Sequence, residues 1–380
     1  MTRYFSRRAF AGSCAVGAFA LATASVTGRS SAAPSGNTSD LQAAISDLAH
    51  PQAASSQLML SWREGHWYGT AGTADLANER PVRADDRFRA GSVTKAFVAT
   101  VVLQLWAEGL LDLDAPIIRC LPGTRLPSRF ASVTVGHLLH HTSGLPDHRG
   151  MPDLDTPKKV LRHRFDRWTP AALIDTVTHD SLKFTPGTRQ EYRGINYVFL
   201  ALLIEELTGQ RYGDAIADRV LRPLGLTRTL IPGNDLRMHG PQVRGYLRMT
   251  DGSLVDITVY DQSSSWGEGE LVATAEDLFR FQQALFAGAL LAPQALDRMF
   301  ALPPSTVRML DGSPARYSMG LQAATVNGKT YWGKTGDTYG YRTRMFATRD
   351  LSTRFVLSYT PMPLNAKEDM ITRVVTALEP

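Results

Sequence analysis

Two periodicities share this chain, and the order in which they come leaves few folds open. Residues 57–74, QLMLSWREGHWYGTAGTA, alternate and break at Glu64-Gly65, as two strands of a hairpin would. Near the other end YSMGLQAA, KTYWGKTG, YRTRMFATRD and STRFVLSYT are again short, alternating or apolar, and separated by turn residues. Between them the period is helical: SVTKAFVATVVLQLWAE from Ser92 to Glu108, segments near 133–141, 169–179, 195–208 and 211–221, and TAEDLFRFQQALFAG. Gly109 is a C-terminal cap for the first of these, Thr169-Pro170 gives an N-cap with proline at the first helical position, and Thr274 with Asp277 forms a capping pair. A last amphipathic helix is predicted near 366–378, and the polar stretch from Asp147 to Trp168 is predicted as a long surface loop bordering a cleft.

Strands at both ends around a helical middle predict an α/β fold: an antiparallel sheet flanked by helices, completed by both termini, with an all-helical domain inserted. The expected division is 34–88 with 262–380 for the α/β part and 89–261 for the mainly helical part. At 380 residues and 43% hydrophobic content, the chain has the apolar surface for a large core.

The first 33 residues contain Arg3, Arg7, Arg8 and Arg29 and no acid, so without them 37 basic and 36 acidic residues remain and the net charge falls from +5 to +1. Paired arginines in SRRAF, a mildly apolar middle and Ser31-Ala32-Ala33 before Pro34 have the layout of a twin-arginine signal peptide cleaved near Ala33. The expectation is a secreted protein with no membrane span after signal removal. Once Cys14 leaves with that segment, Cys120 has no intrachain partner. The residual charge gives no basic face for nucleic acid.

GKTYWGKT, from Gly328 to Thr335, fits the phosphate-loop pattern letter for letter. A phosphate loop needs a helix after it, to direct its positive end at the anion. Here GDTYGYRTRMFA follows, with two glycines and strand formers, so no nucleotide site is expected. Lys334-Thr335-Gly336 needs another partner, and Ser92 supplies one. Lys95 has a serine three positions earlier, and the pair opens the most apolar helix of the chain, one turn apart on one face. A serine hydroxyl needs a base within hydrogen-bond reach to attack a carbonyl, and a buried lysine can serve. His137, His140 and His141 share a helix face but have no carboxylate or cysteine close by, so they are expected to be structural, with no metal and no cofactor.

FRAGSVTKAFVATVVLQLWAEGLLDLDAP, HLLHHTSGLPD, EYRGINYVFLALLIEELTG and WGKTGDTYGYRT, in that order, resemble the penicillin-recognising serine enzymes over about residues 55–360. These are D-alanyl-D-alanine carboxypeptidases, class C β-lactamases and related esterases, and the secreted actinomycete carboxypeptidases look most similar. The resemblance implies an active site between an α/β domain and a helical domain. It implies Ser92 as the nucleophile, Lys95 as its base or relay, Tyr192 as the proton shuttle and Lys334 as an electrostatic support. The backbone N–H groups of Ser92 and Asp337 would form the oxyanion hole, with Thr335 and Gly336 in the same wall.

Three positions depart from the family pattern. Tyr192-Arg193-Gly194 stands where Y-x-N is usual, so the asparagine that holds the acyl-side amide is missing, and Asn196 lies two residues on. Asp337 stands where a threonine would help bind a terminal carboxylate, and Gln322 where an arginine would. The expected substrate is a small molecule or peptide. A D-alanyl-D-alanine carboxypeptidase-like activity is expected first, an esterase or transacylase delivering an acyl group to an amine second. A catalytically silent penicillin-binding-type protein is the remaining alternative.

Overall fold

The computed structural model describes residues 38–63 and 65–378, so the leader expected over 1–33, with Cys14, lies outside the described residues. The strand hairpin forms as β1 (Ala53–Trp62) and β2 (Gly65–Asp75), followed by the short β3 (Arg80–Pro81). The carboxyl-terminal strands are β6 (Gln322–Val326), β7 (Lys329–Thr338), β8 (Tyr341–Thr348) and β9 (Thr353–Pro361). They join the first three in a seven-stranded sheet of order β6-β7-β8-β9-β1-β2-β3, antiparallel at every step. Strand β1 joins the two groups, with Leu58 opposite Leu357 of β9 on one side and Gly69 of β2 on the other, so strands from the two ends of the sequence complete one sheet as the pattern predicts.

Helices cover both faces. Helix α1 (Thr38–Ser46) and the terminal α5 (Ile371–Leu378) pack Leu41, Ile45, Val374 and Leu378 with Leu58, Phe355 and Leu357. On the other face α4 (Ala275–Phe286) lies against β1, β8 and β9, and α2 (Thr94–Ala107) packs on it, with Phe97 stacked on Phe281 at 3.7 Å, and on α3 (Ile195–Thr208) beyond. α2 is buried without a break from Thr94 to Leu103, which is why its sequence carries so few charges. Its core is continuous with Met345, Ala347 and Val356 of the sheet. A further short strand pair, β4 (Phe88–Gly91) and β5 (Leu271–Ala273), is not hydrogen-bonded into the main sheet but packs against β7 and β8, and it launches α2.

Several boundaries differ from the sequence pattern. The stretch 147–168 contains a helix, Pro157–His163, capped by Thr156. The last helix begins at Ile371 rather than near 366, because the Asp369 carboxylate accepts from the Ile371 N–H and caps it there. The helices near 133–141 and 169–179 shorten to Val135–Leu139 and Pro170–Asp175, and the one near 211–221 runs from Tyr212 to Ile216 before widening into a π-turn. Thr274 caps α4 by accepting from the Asp277 N–H, but the Asp277 carboxylate does not reciprocate: it accepts from the Arg228 N–H and the Thr229 hydroxyl. The phosphate-loop octet is a hairpin turn at Asn327 and Gly328, both with positive φ, running into β7. A second turn and β8 follow, not a helix.

Candidate active site

The chain enters the site from β4. At Gly91, φ +54°, it turns into α2, and Thr94 clamps the turn by donating to the Gly91 carbonyl at 2.7 Å while accepting from the Leu271 N–H at 3.0 Å. Ser92 is left at the mouth of the helix, 7% exposed, with Lys95 fully buried one turn below. Lys95 Nζ donates to Ser92 Oγ at 3.0 Å, the contact that the three-residue spacing predicts. Its other partners both belong to Glu268: the backbone carbonyl at 2.9 Å and Oε2 at 2.8 Å. An ammonium has three N–H donors, and these three acceptors match them in number.

Tyr192 closes the other side. Its ring centroid lies 5.1 Å from Lys95 Nζ and 4.6 Å from Lys334 Nζ, so the phenol sits between two cations. Two aromatic neighbours hold the ring, His141 at 4.5 Å and Tyr317 at 4.9 Å between centroids. Burial pushes the His141 imidazole well below its ordinary pKa, and the charges of Lys95 and Lys334 push the same way. A neutral His141 then accepts from the Arg193 N–H at 3.1 Å and fixes the backbone beside Tyr192. The neighbouring histidines face elsewhere: His137 accepts from the Thr134 N–H, and His140 Nε2 contacts the Ala301 carbonyl. No group of three potential metal ligands occurs among the described residues.

Two glycines bring the facing strands together. A Cβ on Gly336 would fall 1.9 Å from the Ala90 carbonyl oxygen and 3.3 Å from the Ser92 nitrogen. One on Gly91 would fall 2.9 Å from the Asp337 nitrogen. With no side chain at either position, β7 can lie against the residues just before Ser92, which places the amides of Ser92 and Asp337 side by side. Lys334 is buried on β7 and donates to the Thr335 carbonyl at 3.1 Å, and the Thr335 hydroxyl donates to Gln322 Oε1 at 3.3 Å.

The departures resolve differently from one another. Asp337 is not a lone acid beside the reacting bond: Arg344 reaches it at 2.8 Å and Arg342 at 3.4 Å. The antiparallel register, with Asp337 opposite Arg342 and Thr335 opposite Arg344, returns both arginines across the turn. Arg344 is also paired with Asp369 at 2.6 Å, so two acids and two arginines balance, and the charge that Asp337 brings to the position where the family pattern has a threonine is offset. Asn196 does not reach the cleft; it is fully buried and its amide is committed to Ser143 and His141. Arg193 is spent on Asp147 and the Pro146 carbonyl. At Gly194 the missing side chain is replaced from elsewhere, because a Cβ there would land 1.8 Å from Glu268 Oε2. The motif gap was visible in the sequence; the residue that fills it, 74 positions away along the chain, was not.

A seryl hydroxyl bonded to a buried lysine, a tyrosine between two cations and a pair of adjacent amides is the constellation of a serine acyl-transfer enzyme. The chain belongs to the β-lactamase family: the family model described as Beta-lactamase matches residues 43–377. In solved structures it is similar to a D-stereospecific amidohydrolase from Streptomyces sp., 30% identical with a TM-score of 0.78, covering 90% of this chain and 98% of that one. A D-amino acid amidase from Ochrobactrum anthropi is 26% identical with a TM-score of 0.76 over the same shares. Among curated proteins, penicillin-binding protein 4* of Bacillus subtilis is 27% identical over 80% of this chain and 66% of its own length. A D-aminopeptidase of Cereibacter sphaeroides is 27% identical over 73% of this chain and 51% of that protein. The chain thus spans between half and two-thirds of the length of these curated relatives. Its fold and site are those of the family's serine enzymes, and no helix among the described residues is long and apolar enough to cross a membrane.

Proposed function

We propose that the enzyme cleaves amides or esters of D-configured amino acids through an acyl-Ser92 intermediate. The observation that carries this reading is the 3.0 Å contact between Lys95 Nζ and Ser92 Oγ, with the Tyr192 ring beside both Lys95 and Lys334. Ser92 Oγ attacks the carbonyl carbon while the Tyr192 oxygen takes its proton and passes one on to the leaving amine or alcohol, with the positive charges of Lys95 and Lys334 stabilising the negative charge that builds on that oxygen. The oxyanion is received by the N–H groups of Ser92 and Asp337. In the second half, water or an amine gives its proton to Tyr192 and takes the acyl group, and Tyr192 returns a proton to Ser92 Oγ as that bond breaks.

The amidohydrolase, amidase and aminopeptidase relatives support a D-aminoacyl donor. The carboxypeptidase expectation has less support from the site, because the arginines nearest its carboxylate end, Arg342 and Arg344, are already engaged with Asp337 and Asp369. Release to an amine rather than water would make the same enzyme a transacylase.

Mass spectrometry after mixing the protein with a D-alanine p-nitrophenyl ester tests the chemistry. One acyl mass is expected on the Ser92 peptide and none in S92A; adduct elsewhere, or none in the wild type, sinks it. Turnover of D-alaninamide, the ester, and an N-acyl-D-Ala-D-Ala peptide then ranks the donors. Faster release of D-alanine from the peptide than ammonia from the amide would restore the carboxypeptidase.

A further inference from the structure

Gly194 has φ −62° and ψ −44°, ordinary helical values that any residue adopts. Glycine at such a position is unfavourable by about 1 kcal/mol against alanine, so backbone freedom does not account for it. The account is steric: a Cβ would lie 1.8 Å from Glu268 Oε2 and 2.2 Å from both Cδ and Oε1. A side chain at 194 and the Glu268 carboxylate cannot coexist. The motif that resembles Y-x-N has therefore exchanged an amide for a carboxylate delivered from the loop before β5.

We propose that Glu268 is a specificity-determining residue on the acyl-donor side, and that its carboxylate receives the free ammonium group of an aminoacyl donor in place of an N-acylated one. This rests on the acyl-Ser92 reading. An asparagine amide both donates and accepts, so it can hold an N-acyl amide by its carbonyl and its N–H together; an ionised carboxylate only accepts. Against Glu268, an acyl carbonyl would meet lone pairs with lone pairs, whereas an ammonium presents donors.

The carboxylate is held in place and open. Lys95 engages Oε2 at 2.8 Å and the Glu268 backbone carbonyl at 2.9 Å, while the side chain remains 22% exposed. A carboxylate has roughly four acceptor sites, and among the described residues the hydrogen bonds to this one are Lys95's. Other cations nearby do not compete for it. Arg193 is bound to Asp147 and the Pro146 carbonyl, and His148, which burial pushes down to about 4, contacts the Thr176 hydroxyl.

The test compares Ser92 acylation rates from D-alanine p-nitroanilide and its N-acetyl derivative, read as kcat/KM and confirmed by acyl mass on Ser92. The wild type is expected to favour the free amine. E268Q, which keeps the size but exchanges the acceptor-only carboxylate for a neutral amide that also donates, is expected to lower the free-amine to N-acetyl ratio at least tenfold. G194N/E268A restores an amide in the same volume and is expected to reverse the preference. A merely structural Glu268 would lower both rates together and leave the ratio unmoved, which overturns the proposal, as does a wild type that favours the N-acetyl donor. Absence of acyl-Ser92 with either donor overturns the underlying chemistry instead, and so the two failures are distinguishable. Thermal melting of each variant separates an altered preference from misfolding.

Discussion

At the scale of single residues, the loop that delivers Glu268 carries a second acid with a different fate. Glu270 is 1% exposed, and burial pushes its carboxyl up to about 8 from an ordinary 4.5, with Asp261 and Glu205 adding in the same direction and Tyr212 opposing. The sign of the resulting pH dependence is fixed. Below about pH 4.5 both folded and unfolded chains hold the proton; between 4.5 and 8 the unfolded chain loses it and the folded chain keeps it, so stability falls as pH rises. Above 8 the loss is complete, and it amounts to at most a few multiples of the roughly 1.4 kcal/mol that one pKa unit represents. E270Q removes this titration. Urea unfolding at pH 5, 6.5 and 8 should show the variant gaining on the wild type at each step, and a constant difference would mean Glu270 is ionised in the folded state.

At the scale of elements, the reactive centre is a matter of how closely β7 lies against the end of β4. Gly336→Ala places a Cβ 1.9 Å from the Ala90 carbonyl, so the strands must separate and the amides of Ser92 and Asp337 with them. Losing one oxyanion donor generally lowers the acylation rate by about 10²–10³. That loss is the expected result for G336A, with circular dichroism unchanged and with G123A, whose Cβ would meet nothing within 4 Å, as the neutral control. Undiminished acylation in G336A would remove Asp337 N–H from the oxyanion assignment.

The elements also show why some features were legible in sequence and others were not. Helix α3 follows its apolar run residue for residue, 195–208, because that run is continuous and ends at Gly209 with φ +67°. The helix Pro157–His163 was missed because PKKVLRH buries only Val160 and so has no apolar stripe. Ser92 and Lys95 lie one turn apart, and their contact is local. Glu268 reaches Lys95 across 173 residues, and it does so because β5 pairs with β4, Leu271 opposite Gly91. Neither strand is long enough to advertise that pairing. Arg344 lies past the turn from Asp337 in the sequence, and the register that returns it there depends on a β7–β8 hairpin whose exact turn the sequence does not specify.

At the scale of the whole molecule, the first and last described helices are tied to each other and to the site. Arg373 of α5 donates to the Ala44 and Asp47 carbonyls at the end of α1, and α1 and α5 cover one face of the sheet together. Just before α5, Asp369 accepts from Arg344 at 2.6 and 2.8 Å, from the Tyr359 hydroxyl at 2.9 Å and from the Ile371 N–H at 3.1 Å. Burial raises the Asp369 carboxyl, but the Arg344 charge and these hydrogen bonds outweigh it and hold the group below the ordinary 3.8. Its contribution to stability is therefore present above about pH 4 and is lost as pH falls through the lowered value. Removing one member of a fully buried pair costs about 3–5 kcal/mol; Asp369 is 28% exposed and Arg344 keeps Asp337, so D369N is expected to lose about 2 kcal/mol. That loss should be seen in urea at pH 7 and should shrink towards pH 3, where the wild-type carboxylate is itself neutralised. Arg344 links Asp369 to Asp337, so D369N should also raise KM for the D-aminoacyl donor while Ser92 still acylates at saturation. A KM unchanged beside the expected stability loss would show that the terminal helix supports the sheet without steering the site.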